Sequence, residues 1–330
     1  MKFMKLRKLL PIIGILIFIL ILRKLDWQQI THSFENIQLI YILLSILIAP
    51  ILICFQTLKW ALILKKQDIN LPFWDLIKIQ VISAFYGVIT PGRFGYFIKV
   101  IYLKEKAKIS IAKSLTSIIV DRLIDFMVVF ILGAIGSIVV INYYANITSH
   151  IIIAVITLFT IEIIFASKKV QHFFIKFIIR FIVPSKFKDQ AKGFFGEYLE
   201  HSLNPFKQYS NLLLTLFVWV LIYTQLYLVA LSFNIREINY LYFLILPPIA
   251  TMVSLIPITI SGLGTREATL MGLFSLFRIP ATKIFLMSLL NTLVCTIIGL
   301  VGGFFALKEE KLIEEVKEEA KKLHTQHPKK

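Results

Sequence analysis

The chain of 330 residues holds only two cysteines, Cys54 and Cys295. Both lie inside apolar segments, where they read as buried thiols and leave no disulfide framework or cysteine-based zinc site. The six histidines, His32, His150, His172, His201, His324 and His327, all fall in loops or at segment edges. No histidine cluster therefore stands inside an apolar run to bind a metal or relay protons. No Gly-x-x-x-x-Gly-Lys-Ser/Thr stretch occurs, which argues against ATP drive within this chain. There is no Asp-x-Asp pair for a metal-bound nucleotide sugar and no evident nucleophile–base constellation. These gaps point away from an enzyme and from any bound cofactor. Acidic residues are scarce: 19 against 36 basic ones, a net charge of +17.

What is abundant is apolar sequence, at 58% of residues with a mean hydropathy of +0.80. It comes in long blocks, where a soluble domain would spread it at helix or strand periods. The fold class is thus an all-α polytopic membrane protein. In a soluble protein the basic excess would suggest nucleic acid. Here Lys and Arg collect in cytoplasmic loops and attract anionic headgroups, so no nucleic-acid partner is implied.

Lys2, Lys5, Arg7 and Lys8 precede the apolar run Leu9–Leu22, and Arg23-Lys24-Leu25-Asp26 follows where small cleavage-site residues would belong. This predicts an uncleaved first helix with a cytoplasmic N-terminus. A second span is predicted over 39–64, with Trp60, Lys65 and Lys66 marking its interfacial end. Residues 76–103 come next, broken at Thr90-Pro91-Gly92 and flanked on both sides by lysines. By the positive-inside rule both flanks are cytoplasmic, so a re-entrant hairpin with its tip at 90–95 is simpler than a crossing. Spans follow at 114–141 and 151–167. Residues 168–210 form a basic amphipathic linker, with Val170, Phe173, Phe174, Phe177 and Ile178 at helical spacing. A further span covers 211–233. A second broken stretch runs over 240–277, and a last span over 283–307. Residues 1–308 make up the membrane domain, and 309–330 a charged cytoplasmic tail.

Span, broken hairpin and span recur at an offset of 169 residues, which places Gly264 on Gly95. The halves, about 39–141 and 208–307, run in opposite senses through the membrane. That is an inverted-topology repeat with six full spans and two re-entrant hairpins; eight full spans is the alternative. Both termini lie in the cytoplasm, and the two tips meet near the midplane.

Charges stand where charges are costly. Asp121 and Asp125 share a helix face, and Arg122 is three residues from Asp125. Arg93, Arg266 and Glu267 sit at the hairpin breaks. Each costs about 2.5–3.5 kcal/mol near the bilayer centre on insertion scales. Two compatible readings follow. One is a salt-bridge network of Asp121, Arg122 and Asp125 that balances Arg266 and fixes helix register, or serves ion coupling. The other is a polar cavity for an anionic headgroup, with Arg93 and Arg266 as phosphate contacts and Glu267 beside them. Gly92, Gly95, Gly262 and Gly264 would free helix N-termini to present N–H groups to the same anion. Lys78, Lys99 and Glu162 read as snorkelling residues, and Asn291 and Gln225 as interhelical hydrogen-bond partners.

Pro91-Gly92-Arg93-Phe94-Gly95, Asp121-Arg122-Leu123-Ile124-Asp125, Ser261-Gly262-Leu263-Gly264-Thr265-Arg266-Glu267 and Leu58-Lys59-Trp60 together resemble the lysylphosphatidylglycerol synthase transmembrane family. The resemblance covers about residues 9–307. It implies a flippase-like protein of the plasma membrane. The substrate would be a membrane lipid with an anionic or isoprenoid-phosphate headgroup, and the partner a separate lipid-modifying or glycosyltransferase enzyme. Two departures stand out. Tyr96 occupies a position where the family usually has an acidic residue, and no soluble synthase domain follows the membrane part, so a complete lysyl-lipid synthase is not expected. A glycosyltransferase of lipid-linked sugar assembly and a small-solute secondary transporter are the alternatives.

Overall fold

The computed structural model describes residues 19–20, 23, 27–90, 94–140, 160, 167–181, 188–201, 203, 208–255 and 262–308. The predicted first span, the span at 151–167, the hairpin residues Gly92 and Arg93, Glu162 and the charged tail lie wholly or almost wholly outside them. Among the described residues every regular element is helical. The protein is an all-α membrane protein. Among the described residues four helices are long and apolar enough to cross a bilayer: α2 (Leu39–Lys65), α5 (Ile111–Val140), α8 (Tyr209–Ser232) and α12 (Ala281–Lys308). They are preceded by α1 (Trp27–Glu35) and joined by shorter pieces. Large apolar side chains such as Leu47, Leu213 and Phe304 stay exposed along their outer faces. A bilayer receives such side chains without cost, and the backbone polar groups are satisfied within each helix.

Contacts spaced along their length show that α2 and α8 are antiparallel. The Gln38 amide donates to the Ser232 carbonyl at 2.9 Å. The Gln225 side chain donates to the Ser45 carbonyl at 3.0 Å. The rings of Phe55 and Phe217 meet at 4.8 Å, and Lys66 reaches Gln208 at 2.5 Å.

Each of these helices feeds a hairpin at its C-terminal end. After α2, α3 (Phe73–Ile89) runs inward and a 3-10 turn (Phe94–Ile98) leads into α4 (Lys99–Ala107). Lys106 near the end of α4 pairs with Asp75 in the first turn of α3 at 3.2 Å, so the segment returns to the face it left. The second hairpin is built from α9 (Tyr240–Ile245), α10 (Pro247–Leu255) and α11 (Thr265–Phe274). Its two ends also meet, through Phe243 on Phe274 at 5.0 Å and Tyr242 on Phe277 at 4.9 Å. Because α2 and α8 are antiparallel, the hairpins open on opposite faces. The inverted-topology arrangement follows from these contacts.

The halves are interlocked. Helix α5 of the first half packs on α10 of the second hairpin, and α12 of the second half packs on α3 of the first. Gly136 on α5 and Gly302 on α12 make this possible. A Cβ on Gly136 would overlap the Ile245 carbonyl, and one on Gly302 the Val81 carbonyl. Small residues let membrane helices approach backbone to backbone.

The linker contains α6 (Lys168–Phe181) and α7 (Lys188–His201). α7 is tied to the bundle by Gln67, which donates to the His201 carbonyl at 3.1 Å, and by Ser110, which donates to Glu197. α6 rests on α7 with Phe173 and Phe177 exposed. Cys54 and Cys295 are exposed on helix faces, against the expectation of buried thiols. In a membrane span an apolar surrounding does not require burial in protein.

Candidate functional site

Two charged clusters form, one between α2 and α5 and the other where α11 of the second hairpin meets α12. In the first half, Asp121, Arg122 and Asp125 come together on α5 as their spacing predicts. Their main partner is Lys59 of α2, only 2% exposed. Its Nζ lies 3.0 Å from Asp121 and in contact with Asp125. Arg122 closes the square at 2.8 Å from Asp121 and 3.0 Å from Asp125, with its guanidinium 4.9 Å above the Tyr96 ring. Two cations face two carboxylates, so the group is neutral as a set. The attraction offsets a desolvation that no single member could bear in this setting.

Lys59 enters the sequence reading only within the motif Leu58-Lys59-Trp60, with no charge partner assigned to it. The available signal was charge arithmetic: two carboxylates and one arginine within a span leave an unmatched negative charge. Lys99 is a correction of the same kind. It does not snorkel; it is 1% exposed, lies 4.1 Å over the Trp60 ring and donates to Gln80 at 2.6 Å. Trp60, read as an interfacial marker, is wholly buried beside it.

In the second half, Gly262 and Gly264 both have positive φ, +80° and +84°. An L side chain resists that backbone, and glycine alone turns it freely into α11. Glu267 is fully buried. It accepts from the Gly264 amide at 2.6 Å, from Ser288 at 3.0 Å and from Arg266 at 2.7 Å. Arg266 also donates to Thr292 and, at 3.4 Å, to the Ser288 carbonyl of α12.

Two expectations change as a result. The Gly264 amide is not free for an outside anion, because the chain's own carboxylate caps it. Arg266 is balanced by its neighbour Glu267, not by Asp121, Arg122 and Asp125, which form a separate group with Lys59. In the first hairpin the Gly95 amide is likewise taken, by the Thr90 hydroxyl at 2.7 Å. Gly95 itself abuts the Tyr86 carbonyl so closely that a Cβ would overlap it.

Between the clusters lies a cavity of about 210 Å³. Arg266, Ser288, Asn291 and Thr292 line one part of it, and Gln56, Gln80 and Tyr96 another. A smaller space of about 50 Å³ adjoins, lined by Lys59, Arg122 and Asp125 together with Gln56, Gln80 and Tyr96. Gln225 lines the larger cavity while bonding across to α2, in keeping with the interhelical role expected of it. Asn291 departs from that expectation: among the described residues its buried Oδ1 has no partner, and neither has Arg266 Nε. Among the described residues no cluster of His, Cys, Asp and Glu could hold a metal ion.

A family model described as the lysylphosphatidylglycerol synthase TM region matches residues 9–303. A UPF0104 membrane protein of Pyrococcus horikoshii is 26% identical over 92% of this chain and 98% of its own length. A UPF0104 membrane protein of Methanothermobacter thermautotrophicus is 24% identical over 85% of this chain and 88% of its own. One from Methanocaldococcus jannaschii is 22% identical over 91% and 93%. No solved structure matches.

Proposed function

The chain belongs to the lysylphosphatidylglycerol synthase TM-region family, and from that premise we propose that it is a lipid translocase rather than an enzyme. It would move a phospholipid or isoprenoid-linked lipid with an anionic headgroup between leaflets of the plasma membrane. The observation that carries this reading is the cavity between the inverted halves, where Arg266 Nε–H and Asn291 Oδ1, unpartnered among the described residues, stand in a wall of mixed apolar and polar side chains. Groups buried without partners are costly; an anionic phosphate would accept from Arg266 Nε–H, and a hydroxyl of the headgroup would donate to Asn291 Oδ1. Arginine suits a phosphate. The headgroup would pass through the cavity while the acyl or isoprenoid tails stay in lipid. The lysine-rich flanks of α2 and α4 support a cytoplasmic setting for that face and for both termini. A separate enzyme would make the transported lipid.

The test is leaflet exchange of fluorescent phosphatidylglycerol in proteoliposomes, comparing wild type with Arg266→Lys. Lysine keeps a positive charge beside the buried Glu267, so the helix stays balanced, but it lacks the second donor for a phosphate. Exchange is expected to fall by about tenfold, the loss of one charge-assisted hydrogen bond. Wild-type vesicles that exchange no lipid but take up a small solute, or transfer a sugar, would replace the reading.

A further inference from the structure

Lys99 is a buried lysine near the first charged cluster that forms no direct ion pair with it among the described residues. It lies over the face of Trp60, where a ring attracts a positive charge. Its only described hydrogen bond runs to Gln80 Oε1, at 2.6 Å. An ammonium group donates and cannot accept. The Gln80 oxygen must therefore point at Lys99, and its NH2 must point away. That NH2 donates to Gln56 Oε1 at 3.0 Å. Gln56 in turn has its oxygen occupied, and what it can offer elsewhere is its own NH2. Gln56 lines both the larger and the smaller cavity, and its NH2 has no partner among the described residues. With Lys99 charged the polarity of this relay is set, because a reversed amide at either position would place two donors or two acceptors face to face.

We infer that the Tyr96 end of the cavity is a site for anionic oxygen, with Gln56 as the contact and Lys99, two side chains back, as the residue that sets its polarity. A second observation points the same way. Arg122 lines the smaller space, and its Nε–H is buried without a partner. Donors therefore converge there from α2 and from α5. The pseudo-equivalent glutamine shows that the repeat does not impose this. Gln225, 169 residues after Gln56, spends its NH2 on the Ser45 carbonyl, so what remains to it is an acceptor. Lys99 has Ala268 as its counterpart, and the second half has no buried ammonium at that place. One half presents a donor where the other presents an acceptor.

The inference rests on the translocase reading for its ligand, a phosphate-type anion. Its source is either a lipid headgroup or the free ion. Gln80→Glu, read beside Gln56→Met, separates a polarity-setting role from a structural one. The new carboxylate pairs with Lys99 but has no N–H for Gln56. Gln56 then turns its NH2 inward and shows its oxygen to the cavity. Gln80 itself lines both spaces, so its new carboxylate also repels an anion directly; a merely structural relay therefore predicts unchanged binding in Gln56→Met, which adds no charge. Polarity setting predicts affinity lower by about tenfold or more with the melting temperature not reduced.

The measurement is calorimetric titration of the full chain in detergent with short-chain phosphatidylglycerol, and separately with inorganic phosphate. Binding of the lipid alone marks a headgroup site, and equal binding of inorganic phosphate marks a free-ion site; weakening in both Gln80→Glu and the uncharged Gln56→Met supports the inference in either case. Gln56→Met removes the cavity donor without touching the ammonium and must show the same loss, and it alone decides should Gln80→Glu melt early. Wild-type affinity in a folded Gln80→Glu, or in Gln56→Met, overturns the inference, as does a wild type that binds neither probe. Leaflet exchange by wild type together with unweakened Gln80→Glu leaves the translocase standing and removes this site. Weakened binding without any exchange does the reverse.

Discussion

Replacing Lys59 with methionine removes one charge and little volume from the centre of the first half. Lys59 and Arg122 face Asp121 and Asp125 as two cations against two carboxylates. After Lys59→Met, one arginine serves both carboxylates. Arg122 approaches both through the same nitrogen, and its side chain is 26% exposed, whereas Asp121 is 2% exposed. The carboxylate that loses its partner cannot escape to water. Breaking a buried pair from one side costs about 3–5 kcal/mol, a large share of a net stability of roughly 5–15 kcal/mol. At about 2 °C per kcal/mol for a large domain, the melting temperature should drop by about 6–10 °C. The double variant Lys59→Met/Asp125→Asn restores neutrality, because Arg122 then pairs with Asp121 alone. It should recover most of the loss. Thermal unfolding of the detergent-solubilised chain, followed by size-exclusion recovery, reads both. A single variant as stable as wild type would show that Lys59 does not hold the carboxylates. A double variant no better than the single would show that charge balance is not the reason for the damage.

Further outcomes are expected. Cysteines at positions 75 and 106, in a background lacking Cys54 and Cys295, should cross-link readily, since the parent side chains meet at 3.2 Å; if the two sites label instead from opposite sides of the membrane, the hairpin crosses. Gly302→Val should lower the yield of folded protein sharply by forcing α12 off the Val81 carbonyl, while Gly272→Ala, where a Cβ meets nothing, should match wild type in the same expression assay. Leaflet exchange in Arg266→Lys and phosphate-lipid titration of Gln80→Glu, set out above, test the cavity.

Much of this architecture was legible in advance because the membrane simplifies the reading. Apolar blocks of spanning length announce helices, and lysine runs on both flanks of 76–103 announced a hairpin that Asp75 and Lys106 now close. The 169-residue offset placed Gly95 on Gly264, and the same offset relates Gln56 to Gln225 and Gly133 to Gly302. The pairing of charges was less legible. Asp121, Arg122 and Asp125 could be grouped from helical spacing within one element. Their partner Lys59 comes from another helix, and no period in the sequence links the two. Lys99 and Asn291 were misread for a related reason. A lysine near the end of an apolar run looks the same from sequence whether it reaches water or an aromatic ring. An intramembrane asparagine looks the same whether or not a neighbour answers it. The cap on Gly264 was hidden by adjacency: Glu267 was read as a companion of Arg266 in the headgroup cavity, whereas its carboxylate folds back on its own helix start.

The crossed packing of the halves bears on how the protein is made. The hairpin of α3 and α4 leaves the ribosome well before the helix that fills its groove, the one carrying Gly302. The hairpin must therefore enter the membrane and wait through roughly 200 further residues before its permanent neighbour arrives. During that interval its broken tip and the carbonyl of Val81 have only lipid or the insertion machinery for company. A chain cut between the halves would leave two pieces that each lack the other's closing helix. Such pieces could complete themselves only by meeting in antiparallel orientation, as two separately inserted proteins would.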